Sequence, residues 1–143
     1  MRRPYIVLTA IIAVGISAVI ATLPEIMAAW PERKAVQETF SRYAEALVQQ
    51  RFEDAYRYQS REFRERVTLE SFLKYQHDVQ DKFGLLKTVE QQGITVEKWK
   101  NQDRWRASVN ANFRFERATA KFTFELHRDD GRWTIFSFTG TEI

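Results

Sequence analysis

Arg104-Trp105-Arg106-Ala107-Ser108-Val109-Asn110-Ala111-Asn112-Phe113-Arg114-Phe115 alternates apolar and polar residues without a break. Successive side chains on a strand face opposite sides. Trp105, Ala107, Val109, Ala111, Phe113 and Phe115 therefore share one apolar face, while Arg104, Arg106, Ser108, Asn110, Asn112 and Arg114 share a wet one. An apolar strand face has to be covered, so the flanking sequence must supply the cover.

Downstream, Glu116–Thr119 reads as a turn into a second strand, Ala120–Arg128, where Ala120, Phe122, Phe124 and Leu126 alternate with Lys121, Thr123, Glu125 and His127. Setting Phe115 opposite Ala120 puts Phe113 opposite Phe122, Ala111 opposite Phe124 and Val109 opposite Leu126, and both apolar faces agree. Asp129-Asp130-Gly131 supplies the positive φ angles of a tight reversal. The last strand, Arg132–Thr141, breaks alternation: Trp133 and Ile135 fall on one face, Phe136 and Phe138 on the other. One of these pairs then lies on the outer face unless a bulge re-aims it.

Upstream, Leu85–Lys100 reads as an extended strand with Gly93 at a bend or bulge, followed by a turn at Lys100–Asp103. Before Gly84 the apolar period lengthens. Ala35, Val36, Phe40, Tyr43, Ala44, Leu47 and Val48 recur at three- and four-residue steps, which predicts an amphipathic helix from Pro31 to Gln50. Arg51–Ser60 predicts a second, shorter helix. Thr68 is suited to N-cap a third, with Leu69, Phe72, Leu73, Gln76 and Val79 on its buried side and Gly84 as its stop. The expected class is α+β, with about three helices packed on a curved antiparallel sheet of four or more strands.

Tyr5 to Pro24 contains no charged residue and is about as long as a helix needs to cross a bilayer core. A signal peptide would begin with the same Arg2 and Arg3 and could be cut after Ala21 or Ala29. The apolar run exceeds the roughly 7–15 residues of a secretory core, and Trp30 follows at interfacial distance, so the expectation is an uncleaved transmembrane anchor. Residues 1–30 are then anchor and linker, and 31–143 form an extracytoplasmic, periplasmic domain by the positive-inside rule. Thr9, Ala13, Ser17 and Ala21 recur every four residues as a stripe of small side chains, suited to seat the helix on another membrane protein.

Composition narrows the function classes. A chain of 143 residues, 44% of them hydrophobic, holds one domain with a real core. With no cysteine there is no disulfide framework, thiol nucleophile or thiolate metal site. The pI near 9.3 overstates the charge of the domain: setting aside Arg2 and Arg3, 20 basic side chains face 19 acidic ones. That balance does not suit a nucleic-acid partner, and alternation puts the arginines and the aromatics of Arg104–Phe115 on opposite faces, where stacking on bases is denied.

Arg51-Phe52-Glu53-Asp54-Ala55-Tyr56, the run Thr68-Leu69-Glu70-Ser71-Phe72 leading to Phe83-Gly84, and the closing Asp130-Gly131-Arg132-Trp133-Thr134-Ile135 together carry a resemblance to the nuclear transport factor two-like superfamily of cystatin-like α+β rolls, over roughly Arg33 to Thr141. The chain looks most like the small secreted or membrane-anchored members, to which no activity is assigned. The resemblance implies a cone of helices on a meander of strands. The superfamily includes isomerases, dehydratases, cyclases, ligand carriers and assembly modules, so the fold alone selects no function.

An enzyme of this shape would place an acid or base inside the cone, where burial tunes its pKa. Every inward position of the two central strands is apolar, which leaves Tyr43, Asp54, Tyr56, His77 and Asp78 as the candidates. His77 and Asp78 are adjacent on a helix and point about 100° apart, which disfavours a relay between them. Two histidines fifty residues apart make no metal-ligand spacing, and His127 belongs to the outward, solvated set. The expectation is a non-catalytic accessory or assembly subunit of a membrane complex, without cofactor or metal. Its contacts with a membrane protein or a second copy would run through Ala13, Ser17 and Ala21 and through the outer sheet face at Arg106, Asn110, Asn112, Arg114, Phe136 and Phe138. The alternatives are a carrier of a small apolar ligand in a pocket lined by Tyr43, Phe72, Trp105, Phe113, Phe122 and Phe124, and an isomerase- or dehydratase-like enzyme.

Overall fold

A computed structural model of the chain describes residues 29–99 and 104–143. The chain divides into two compact units, Met1–Glu32 and Arg33–Ile143. The expected anchor, with Ala13, Ser17 and Ala21, and the Lys100–Asp103 turn lie outside the described residues. Among those described, no helix is long and apolar enough to cross a membrane.

Helix α1 (residues 29–48) buries Val36, Phe40, Tyr43, Ala44 and Leu47, the helical stripe that its periodicity predicts. It ends two residues before Gln50. Gln50 adopts φ 58°, and the amides of Gln50 and Arg51 return to the carbonyls of Leu47 and Ala46 at 3.1 and 2.8 Å. This is a Schellman stop built on a glutamine rather than a glycine.

The expected single helix over Arg51–Ser60 is instead α2 (Phe52–Arg57) and then an extended link. The reason is a pairing that a helical period cannot reveal: Ser60 N–H donates to the Ile135 carbonyl at 2.7 Å, and Ile135 N–H to the Tyr58 carbonyl at 2.8 Å. Segment 58–60 thus lies beside the last strand. Freed from the helix, Ser60 N-caps an additional helix, α3 (Arg61–Arg66), its side chain accepting from the Phe63 amide. Helix α4 (Leu69–Phe83) starts and stops where expected. Thr68 caps it through the Ser71 amide, and Gly84 ends it at φ 83°.

Strands β1 (Leu86–Lys98), β2 (Trp105–Phe115), β3 (Thr119–Asp129) and β4 (Arg132–Glu142) form one antiparallel meander in the order β1-β2-β3-β4. The β1–β2 register slips between Gln91 and Gly93, the bulge expected at Gly93. Between β3 and β4, Asp130 and Gly131 both have positive φ, 50° and 76°, as a two-residue hairpin requires.

The β2–β3 pairing departs from expectation by two residues. Phe113 faces Ala120, Ala111 faces Phe122, Val109 faces Phe124 and Ala107 faces Leu126. A shift of two leaves every side chain on its own face, so alternation cannot detect it. What selects this register is the connection: the amides of Glu116 and Arg117 donate to the carbonyls of Leu85 and Phe83, and Phe115 N–H to the Ala118 carbonyl.

In β4, Leu126 pairs with Ile135 and Glu125 with Ser137, so Phe136 is an extra residue. Trp133 and Ile135 go into the core, Phe136 stays outside, and the bulge returns Phe138 to the inside. Packing keeps the oily rings together at the cost of one unpaired residue. The core lies between the inner sheet face and α1, α2, α3 and α4, with Ala107, Val109, Ala111, Phe113, Phe124, Leu126 and Ile135 buried from the sheet side.

Candidate functional sites: the cone interior and the outer sheet face

Four of the six expected pocket residues meet. Tyr43 from α1, Phe113 from β2 and Phe122 and Phe124 from β3 line a partly open pocket of about 40 Å³, joined by Leu47, Phe52, Tyr75, Phe115 and Phe138. Phe72 and Trp105 do not line it. Phe72 is fully buried against Tyr56 and Phe63, with ring centroids 5.4 and 6.4 Å away, and Trp105 lies at the start of β2 beneath the Lys98 ammonium. Phe138 joins them because the bulge at Phe136 turns it inward. A site for a small organic ligand occupies roughly 300–1,000 Å³, whereas the volume here suits a water or two.

The rings themselves fill the inner part of the space. Phe124 lies 5.1 Å from Phe40, 5.7 Å from Tyr43 and 5.7 Å from Phe113, and Phe113 lies 4.7 Å from Phe122. These are ordinary aromatic packing distances. Gln50, Gln76 and Gln80 add polar groups to the lining, and the fully buried one is Tyr43, whose hydroxyl accepts a hydrogen bond from Gln59 Nε2 at 3.3 Å. Burial raises the phenol's pKa far above its usual 10.0, outweighing the opposing effect of Gln59. Tyr43 therefore holds its proton at any working pH and is no base. Gln59 Oε1 is buried without a partner among the described residues.

The remaining candidate acids and bases are occupied elsewhere. Asp54 pairs with Arg51 and Arg57 at 3.3 and 3.5 Å, Asp78 with Lys74 at 2.7 Å, and the Tyr56 hydroxyl donates to the Val67 carbonyl at 2.6 Å. His77 is exposed on α4, edge-on to Phe52. Among the described residues no three His, Cys, Asp or Glu side chains are grouped to hold a metal.

The outer sheet face carries the expected polar set. Arg106 pairs with Glu97, Arg114 with Glu90 at 3.3 Å, and Thr123 donates to Asn110 Oδ1 at 2.8 Å, while Asn112 faces Lys121 across the strands. A shallow groove of about 360 Å³ runs along this face between Thr95, Arg106, Ser108, Thr123, Ser137 and Thr139. Phe138, expected here, is absent from it.

His127, expected in solvent, is covered; its side chain is only 14% exposed. Its ring stacks on Phe136 at 4.1 Å, meets the edge of Trp99 at 5.7 Å and is hydrogen-bonded to Glu125 at 2.7 Å. Arg66 lies over Phe136 and Arg106 over Trp99, each 5.3 Å from the ring centre. The result is a polar-rimmed aromatic stripe across the sheet. Period-two reasoning places His127 on this face but cannot foresee the cover, because Phe136 sits at the bulge and Trp99 just past the end of β1.

No family profile matches the sequence, and no curated protein matches it either. Among solved structures the chain is similar to Aln2 from a Streptomyces species, with a TM-score of 0.54 and 10% identity over 76% of this chain and 88% of that one. At that identity the likeness is one of fold: a small α+β roll.

Proposed function

We propose that the chain is a non-catalytic member of the nuclear transport factor two-like superfamily, anchored in a membrane by its first two dozen residues. Its extracytoplasmic domain would serve as an accessory or assembly subunit of a membrane complex. The observation that carries this reading is the interior: about 40 Å³, lined by packed rings, by glutamine side chains that carry no transferable proton, and by a tyrosine that keeps its own. A cone so filled offers no room for a substrate and no group to move a proton, which supports action through the surface rather than through the cavity. The same volume weighs against an apolar-ligand carrier.

The surface best suited to contact is the outer sheet face, where the Trp99–His127–Phe136 stripe adjoins a polar groove, the composition of a protein interface with an aromatic centre and a polar rim. The anchor rests on the uncharged run from Tyr5 to Pro24. Extraction in mild detergent tests the proposal: the full chain should migrate in a larger assembly on size exclusion. Asn110→Arg with Thr123→Arg, which crowd the outer groove, should release it as a folded, smaller species. A wild-type chain that runs alone, or a variant that stays in the assembly, contradicts the proposal.

A further inference from the structure

Four arginines converge on one depression away from the sheet face. Arg42 projects from α1, Arg51 from the Schellman stop, Arg57 from the last turn of α2, and Arg132 from the start of β4, around a groove of about 390 Å³ that also includes Tyr58, Glu45 and Asp54. The carboxylates do not balance them. Asp54 is shared between Arg51 and Arg57, and Glu45 accepts from Gln49 Nε2 at 3.1 Å. Among the described residues neither Arg42 nor Arg132 forms an ion pair, and the Tyr58 hydroxyl makes no hydrogen bond. The groove thus holds two more positive than negative side chains, in a chain whose overall balance is only +3.

Like charges gathered from three elements repel, and a concave wall concentrates their field on whatever enters. Guanidinium groups arriving from several directions present more N–H donors than the two oxygens of a carboxylate can accept. The three terminal oxygens of a phosphate monoester match them, each able to take a forked or charge-assisted hydrogen bond. We infer that this groove is a binding site for a phosphate monoester, with Arg42 and Arg132 as the principal contacts, Tyr58 as a neutral donor, and Asp54 holding Arg51 and Arg57 in place. The chemistry is the same whether the phosphate is the headgroup of a phosphatidic-acid-type lipid or a soluble molecule. The groove shares no lining residue with the outer sheet face, so this inference stands or falls apart from the proposed function.

Calorimetric titration of the full chain in neutral detergent at low salt tests it, with inorganic phosphate in one arm and dihexanoyl phosphatidic acid in the other. Saturable binding is expected, weakening as salt is raised. The Arg42→Gln/Arg132→Gln variant should bind at least about ten-fold more weakly, whereas Arg64→Gln/Lys87→Gln, which removes equal charge from exposed positions elsewhere, should stay within about two-fold. Arg42→Lys/Arg132→Lys keeps the charge but loses the fork and should fall between, guarding against a folding defect in the glutamine pair. A clear preference for the lipid identifies a headgroup site, and an affinity for inorganic phosphate at least as high identifies a soluble phosphate. Absence of saturable binding in both arms, or equal losses in the groove and control variants, overturns the inference.

Discussion

Gly140 sits beneath the Phe122 ring: a Cβ built there would collide with Phe122 Cε1. The two residues face each other across β3 and β4, so the ring packs flat on backbone that only glycine leaves bare. Gly140→Ala should destabilise the fold by about 1–3 kcal/mol through overpacking, seen as a lower melting temperature. Gly93, with nothing within 4 Å of its would-be Cβ, is the contrast, and Gly93→Ala should leave that temperature unchanged or slightly raised.

Tyr43 makes a second prediction at this scale. Its phenol is held above its usual 10.0 by burial, so the unfolded chain loses that proton first as pH rises. The contribution is intact below pH 10 and is lost as pH climbs toward the folded-state value, at about 1.4 kcal/mol per pH unit. Urea unfolding between pH 9 and 11 should therefore show a steeper loss in the wild type than in Tyr43→Phe. Equal slopes would mean the hydroxyl reaches water. Sequence placed Tyr43 on the buried face of α1, but its partner, Gln59, was unforeseeable because the link that carries it reads as helix.

At the scale of elements, what could be read in advance was whatever repeats. The period-two run of β2 identified its buried face residue by residue, and Thr68 and Gly84 marked both ends of α4. What escaped were single-residue events. The extra Phe136 reverses the facing of everything after it, and the two-residue register difference at β2–β3 changes no facing at all. The short helix α3 escaped too, because its six residues bury only Phe63 and its signal was the Ser60 cap alone.

That cap is testable. Ser60 is fully buried and its hydroxyl accepts from the Phe63 amide at 3.0 Å, so Ser60→Ala should cost about 1–2 kcal/mol. The opposite sign is expected at the end of α1. Gln50→Gly removes a side chain from a left-handed position and should stabilise by up to about 1 kcal/mol, offset in part by the lost contact with Gln80. Thermal melts of the two variants should move in opposite directions.

For the molecule as a whole, the same rings that build the roll also fill it. Tyr43, Phe113, Phe122, Phe124 and Phe138 meet around a pocket left with about 40 Å³. The apolar interior was legible in the inward residues of β2 and β3, but its fullness was not, because fullness depends on which aromatic the bulge returns to the core. The outer face was legible as polar and illegible as a stripe, since Trp99, His127 and Phe136 come together only through the ends and irregularities of strands.

Native mass spectrometry of the full chain, gently extracted and then stripped of detergent, tests the filled interior most directly. The account predicts a chain held to protein, a partner or a second copy, that sheds no small organic molecule on denaturation. A lone chain that releases a bound apolar molecule of fixed mass would contradict it.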